Sequence, residues 1–227
     1  MSKDVQNPAS WRGFGLLEIL TKYLYDENMK KYIPFLIPII LLILTIGAFF
    51  VYRYYQNKPK PIKWIEYSNE DFKLKVSYPE SFLSKTISED DKKAKYIFKS
   101  EQISPSALFS IRTEEKVGIL SLAQKGSVLD VLSQNVEKQY PGRYTDFKKE
   151  KQEKINVDNT EASQFYFTYL GTDNSTRMKQ RFVIVTKQYE QKELGTVAFY
   201  LSFQSQESDF NQLNSNFQKI LDSFKFL

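Results

Sequence analysis

The stretch Thr196-Val197-Ala198-Phe199-Tyr200-Leu201-Ser202-Phe203-Gln204 decides how the larger part of this 227-residue chain folds. Successive side chains of an extended strand point to opposite faces. Val197, Phe199, Leu201 and Phe203 therefore share one face, and Ala198 and Tyr200 share the other. A strand that is apolar on both faces belongs inside a sheet covered on both sides. Two helical patterns offer the cover. Phe210, Leu213, Phe217, Ile220, Leu221 and Phe224 recur at 3.6-residue spacing behind Ser208, a suitable N-cap. Leu129, Leu132, Val136 and Tyr140 form a second stripe behind Ser127 and Asp130, which are spaced as a capping box, and Pro141-Gly142 stops it.

Working outward, β patterns run over Lys151 to Val157, Glu161 to Leu170 and Lys179 to Lys187 before the opening stretch. They are separated by Asp158-Asn159, by Gly171 to Thr176 and by Tyr189 to Gly195, connections short enough for an antiparallel meander. Further upstream Phe72, Leu74, Val76 and Tyr78 alternate with polar residues until Pro79 ends the run, and Lys95 to Lys99 and Ala107 to Thr113 read as two short strands. The expected fold class is α/β (α+β): an antiparallel β-sheet flanked by helices on both faces, an α/β/α sandwich.

Ahead of this domain, Ile33 to Tyr52 reads IPFLIPIILLILTIGAFFVY, 20 residues without a charge. A helix of that length spans roughly 30 Å, the thickness of a bilayer's hydrocarbon core. Residues 32–55 are therefore expected to form a single transmembrane helix, with Ile33, Leu36, Ile39, Leu42, Ile46 and Phe50 as anchor side chains and Trp11, Tyr32, Tyr52 and Tyr54 at headgroup depth. Large residues follow Gly47-Ala48 directly, and 32 residues precede the run, so an uncleaved signal anchor fits better than a cleaved signal peptide. Residues 1–31 read as a tail in which Leu16, Leu17, Ile19, Leu20, Tyr23 and Leu24 suit a short amphipathic helix, on the inner membrane face or docked to a partner, with an unstructured tail as the alternative. Residues 56–63, rich in Pro and Lys, read as a semi-rigid stalk, and 64–227 as the soluble domain.

The opening phrase of that domain, Tyr67-Ser68-Asn69-Glu70-Asp71-Phe72-Lys73-Leu74-Lys75-Val76-Ser77-Tyr78-Pro79-Glu80-Ser81-Phe82, and its closing phrase, Ile220-Leu221-Asp222-Ser223-Phe224-Lys225-Phe226, resemble the PsbP-like family. The marks are an aromatic-led strand that ends in Tyr-Pro and a final helix that runs into Ser-Phe. The resemblance implies the sandwich fold over about 64–227 and a domain outside the cytoplasm. Members known from photosystem II are extrinsic lumenal proteins that stabilise an oxygen-evolving metal cluster, and many bacterial relatives are anchored extracytoplasmic domains. This chain departs from the photosynthetic members in carrying its own apolar segment and no histidine, which argues against a photosystem role.

Charge narrows the partners. The net charge is +5, yet Trp64 to Leu227 carries 23 basic and 23 acidic residues, so the whole surplus lies in the anchor-bearing segment, near anionic headgroups. No nucleic-acid partner is expected. The densest basic run, Lys148, Lys149, Lys151 and Lys154, is broken by Glu150 and Glu153 and reads as a solvated hairpin arm. Basic residues flank the anchor almost evenly, so charge does not orient it. The resemblance does: the C-terminal domain is expected outside the cytoplasm and the N-terminal tail inside.

Chemistry is narrowed by absence. With no His and no Cys there is no Ser-His-Asp triad, no thiol nucleophile, no disulfide and no usual zinc site, and the scattered glycines make no phosphate-cradling loop. No cofactor, metal ligand or catalytic residue is expected. Glu89, Asp90 and Asp91 read as a solvated loop because Lys92 and Lys93 flank them and calcium-loop spacing is missing. Tyr166, Tyr169, Tyr189 and Tyr200 either line a binding face or pack under the helices. The leading expectation is a non-catalytic, membrane-anchored, extracytoplasmic interaction module that binds a protein partner or stabilises a membrane complex. Its alternatives are a receptor or carrier of a small apolar ligand and a hydrolase that uses carboxylates alone.

Overall fold

The computed structural model describes residues 33–56, 61–119, 126–191 and 194–227. The chain divides into two units, residues 1–61 and 62–227. In the first, helix α1 (Ile33–Gln56) contains Pro38. Its stretch Ile37–Tyr55 is long enough and apolar enough, with a mean hydropathy of 2.0, to cross a bilayer, and none of it is buried against protein. It is a candidate membrane anchor. Ile39, Leu42, Ile46, Phe50, Tyr52 and Tyr54 are all exposed along it. Trp11, Tyr32 and the expected amphipathic helix lie outside the described residues, as do the side chains of Ile33 and Leu36.

The second unit is an antiparallel α+β sandwich. Its strands are β1 (Trp64–Asn69), β2 (Leu74–Pro79), β3 (Leu83–Ser84), β4 (Tyr96–Gln102), β5 (Ala107–Glu114), β6 (Lys148–Val157), β7 (Thr160–Leu170), β8 (Arg177–Gln188), β9 (Thr196–Gln206) and β10 (Lys225–Phe226). Its described helices are α2 (Glu89–Lys93), α3 (Val128–Gln139) and α4 (Glu207–Ser223), with a 3-10 turn at Tyr140–Gly142. Seven strands form the main sheet in the order β3-β4-β5-β9-β8-β7-β6, and β1-β2-β10 form a small one. The meander β6 to β9 runs through consecutive neighbours. Asp158 and Asn159, both at positive φ (48° and 61°), make the tight turn between β6 and β7.

β9 sits at the centre and is buried on both faces. Toward one side Val197, Phe199, Leu201 and Phe203 join Val183, Val185, Phe109 and Ile111 beneath Phe210, Leu213, Phe217, Ile220 and Leu221 of α4 and Leu74, Val76 and Tyr78 of β2. Toward the other side Ala198 and Tyr200 join Phe165, Phe167, Phe182 and Ile184 beneath Leu129, Leu132, Val136 and Tyr140. Apolar residues on both faces have thus drawn a helix onto each, as the sequence pattern requires.

The Ser-Phe ending of α4 has a visible purpose. Ser223 Oγ accepts from Ser77 N at 2.8 Å and lies 3.1 Å from Ser77 O, so it fastens the last turn of the helix to β2, while Phe224 is fully buried. Asp158 then accepts from Phe226 N (2.9 Å) and Lys225 Nζ (3.0 Å), and Leu227 N donates to Lys73 O at 2.7 Å.

Two expectations need correcting. The N-cap of α4 is Gln206, without a side-chain cap bond, and Ser208 lies inside the first turn, where Glu207 and Asp209 complement the helix dipole instead. Glu89 to Asp91 do not form a loop: they open α2, because Ser88 and Asp91 close a capping box and the lysines pair with Glu89 and Asp90.

Phe217 is fully buried, with ring centroids 5.1 Å from Phe203 and 5.8 Å from Phe210. Phe217→Ala is expected to cost about 3–5 kcal/mol, and Ser223→Ala about 1–2 kcal/mol through its lost hydrogen bonds. Urea unfolding of the full chain in detergent, followed by near-ultraviolet circular dichroism, measures both; equal losses from the two variants would contradict this account of the α4 interface.

Candidate ligand-binding cleft

The two faces of the sheet are not covered equally. α3 has only 12 residues, and the chain after it turns through Tyr140–Gly142. Behind that turn Tyr144 packs on Tyr169 (4.3 Å between centroids) and Phe147 on Phe167 (5.1 Å), which closes the β7 side. The same face of β5 and β9 is left partly open.

Register shows what lies there. Leu108 pairs with Gln204, Ser110 with Ser202 and Arg112 with Tyr200, and each pair shares the uncovered face. On β8, Gln180 lies opposite Gln204 and Phe182 opposite Ser202. On β4, a register shift between Tyr96 and Phe98 puts Tyr96 opposite Arg112, on this face. The result is a cleft of about 260 Å3 floored by Ser110, Arg112, Gln180, Tyr200, Ser202 and Gln204 and walled by Tyr96, Arg143 and Tyr144. An adjoining hollow of about 370 Å3 shares Arg112, Tyr140, Arg143 and Tyr200 with it.

Several of these groups have hydrogen-bonding capacity to spare. Gln180 is buried; its amide donates to Ser202 Oγ at 2.7 Å, but its Oε1 has no partner. Such an unmet buried acceptor costs about 1–3 kcal/mol. Arg112 stacks on the Tyr200 ring, 4.3 Å from the centroid, and the Tyr200 hydroxyl donates to Glu114 Oε2 at 2.6 Å. Among the described residues Arg112 has no ion pair and no hydrogen bond. Arg143 donates to Gln139 Oε1 at 3.0 Å and has no ion pair among the described residues. Both arginines act electrostatically on Tyr140 and Tyr144, which places their positive field in one spot.

Larger openings elsewhere are lined differently. Asp130, Glu137 and Glu153 line one groove, yet each is met by a lysine: Lys154 at 3.7 Å, Lys149 at 2.7 Å and Lys151 at 2.6 Å. The Ser127 hydroxyl holds the Asp130 carboxyl below its ordinary range, and Lys151 does the same for Glu153, so neither carries a proton to donate near neutral pH. Lys99 and Ser88 hold Asp91 down to about 2. No group of three or more metal-ligating side chains occurs among the described residues. Lys149, Lys151 and Lys154 lie on the exposed edge strand β6, each with a carboxylate partner, as a solvated arm should.

The tyrosines singled out from the sequence serve packing first. Tyr166 meets Phe210 edge-on, the Tyr189 hydroxyl donates to Phe72 O, and Tyr169 and Tyr200 are buried beside the cleft. Arg112, Arg143, Gln180, Ser202 and Gln204 went unnoticed in the sequence. Their signal was present in β9 itself, where the second face passes from Ala198 and Tyr200 to Ser202 and Gln204 while the first stays apolar.

No protein-family model matches the sequence, and no curated protein matches it. Solved structures do resemble it. Cyanobacterial PsbP (CyanoP) from Synechocystis aligns with a TM-score of 0.53 and 13% identity, covering 75% of this chain and 96% of its own. LpqN of Mycobacterium tuberculosis, involved in cell envelope biogenesis, aligns with a TM-score of 0.51 and 9% identity over 73% of this chain and 91% of its own. The second unit therefore has a PsbP-like fold.

Burial raises the phenols of Tyr140, Tyr169 and Tyr200 well above the ordinary tyrosine range, and Glu114 adds to the effect at Tyr200. The unfolded chain releases these protons near about pH 10 while the folded chain keeps them, so stability is intact below that pH and falls as pH rises toward the raised values. In an alkaline titration followed by tyrosinate absorbance, exposed tyrosines are expected to ionise first and this group only together with loss of the near-ultraviolet circular dichroism. Ionisation of all tyrosines with the fold intact would contradict the burial.

Proposed function

We propose that this chain is a non-catalytic interaction module held at a membrane by α1, with the domain of residues 62–227 working outside the cytoplasm. One observation carries the reading: the half-covered face over β5 and β9 offers Arg112 and the Gln180 carbonyl with unspent bonding capacity, and among the described residues neither Ser110 nor Ser202 of its lining is bonded to a carboxylate. A surface built this way binds; it does not cleave. The hydrolase alternative would need a carboxyl held protonated, whereas Asp130 and Glu153 are lysine-paired and held low.

Three observations support the location. α1 is apolar for long enough to serve as an anchor. The fold is that of cyanobacterial PsbP, a family whose photosynthetic members are lumenal, and LpqN, which shares it, is involved in cell envelope biogenesis. The sequence of residues 56–63 includes Pro59 and Pro61, the composition of a semi-rigid spacer. A protein partner or membrane complex is the first occupant we propose for the open face, since it is broad and continuous with the adjoining hollow. A second reading, a small-ligand receptor, is favoured by the unmet Gln180 carbonyl. Its ligand is polar, because serine, glutamine and arginine line the cleft where an apolar carrier would place aliphatic side chains.

The absence of cysteine makes the location directly testable. In intact cells Lys219→Cys, on the exposed side of α4, is expected to react with a membrane-impermeant maleimide, and Lys3→Cys only after permeabilisation. The reverse pattern would overturn the extracytoplasmic placement. A photo-crosslinking benzoylphenylalanine at Leu108, in the cleft, is expected to form an adduct in native membranes that the same residue at Lys219 does not; labelling at neither or equally at both would overturn the binding role.

A further inference from the structure

We infer that the cleft between β5, β9 and the turn after α3 is a binding site for a carboxylate-bearing saccharide unit, an inference that rests on the small-ligand reading above. The argument begins with what the cleft lacks. Gln180 lines the cleft and its Oε1 is buried and unpartnered, so an occupant that presents an O–H or N–H donor would complete it. Arg112 is half-buried with no hydrogen bond or ion pair among the described residues, and its guanidinium plane is fixed by stacking on Tyr200, itself held by Glu114. A fixed planar fork with free donors matches a planar carboxylate two-pronged. Arg143 brings a second positive charge to the same lining from the other wall.

The occupant therefore joins an anionic group to a hydrogen-bond donor. Between them Ser110, Ser202 and Gln204 form a polar floor in which every side chain both donates and accepts, as a row of vicinal hydroxyls requires. The volume, about 260 Å3, lies below the roughly 300–1,000 Å3 of sites for drug-sized ligands and suits a single ring. Tyr96 and Tyr144 stand at its walls.

A peptide terminus also joins a carboxylate to an N–H, but the site favours it less. β5 and β9 are interior strands whose backbone groups are used in the sheet, so no main-chain pairing is available to an extended peptide. Nor does the lining offer an aliphatic recess for a peptide side chain, since Leu108 is its one large aliphatic residue.

The full chain in nanodiscs, probed by saturation-transfer NMR, tests this with three compounds: glucuronate, glucose and N-acetyl-alanyl-alanine. Glucuronate is expected to bind, with glucose and the dipeptide at least roughly tenfold weaker. Arg112→Gln and Arg143→Gln should each weaken glucuronate binding by roughly tenfold or more, the usual weight of a charged hydrogen bond, and Gln180→Met should weaken it for glucose and glucuronate alike. Should Arg112→Gln disturb the Tyr200 stack, the exposed Arg143→Gln still decides the matter. Tighter binding of the dipeptide, or glucuronate binding that survives Arg143→Gln, would overturn the saccharide site while leaving a receptor in place. Silence from all three compounds overturns it too, and an adduct at Leu108 in that case keeps the interaction module standing, whereas its absence removes both.

Discussion

Burial of β9 on both faces is the constraint from which the rest of the domain follows. Its backbone groups are paired to β5 on one side and β8 on the other, so the strand pays no penalty for leaving water. Its side chains then demand cover. Phe199, Leu201 and Phe203 are fully buried, and each large apolar side chain so hidden contributes about 1.5–3 kcal/mol. Phe109 stacks on Phe203 with centroids 4.9 Å apart, and Phe199 meets Phe72, Phe224 and Phe226. The last helix and the last strand are thus drawn back to the centre, and the small sheet with β2 closes over them.

The ends of the sheet follow a different rule. An edge strand exposes unpaired backbone groups to other chains, and charge or brevity protects it. β6 alternates lysines and glutamates over an almost wholly exposed strand, and β3 at the opposite edge has only two residues. The basic run that might have suggested a polyanion partner is therefore edge protection, with Glu137, Glu153 and Glu161 neutralising it locally.

Much of this was legible because periodicity reports burial. Strand and helix patterns from Lys151 onward name the observed elements to within a few residues, and Ser127 caps α3 through Asp130 N at 3.1 Å, as its spacing implies. β1 was not legible, since its residues are mostly exposed and alternate weakly, and β10 is two residues held by a turn aspartate from 68 positions away. The cleft was less legible still. Ser202, Gln204 and Gln180 look like ordinary solvent-facing positions in a strand; only register tells that they meet Ser110 and Arg112 beneath Tyr144. A register shift at Tyr96 is likewise invisible in a one-dimensional pattern.

Two arginines on opposite faces of this sheet make the contrast that gives the cleft its meaning. Arg181 is buried on the α4 side without a carboxylate, and burial lowers its pKa; yet its donors are met by Gln164 and Gln218, with Asn214 at 3.4 Å, and Tyr166 lies under its plane. That is how this fold satisfies a structural arginine: neutral acceptors from a neighbouring strand and from the covering helix. Arg112 sits two strands away on the opposite face with aromatic support from Tyr200 and, among the described residues, none of the acceptors. Had packing alone placed it, the groups around it would have been expected to close the same kind of ring. Instead, further along the same cleft, Gln180 and Ser202 bond each other and leave a carbonyl over. Among the described residues, a guanidinium without acceptors and a buried carbonyl without a donor thus line one cleft, and the proposed binding role rests on that asymmetry.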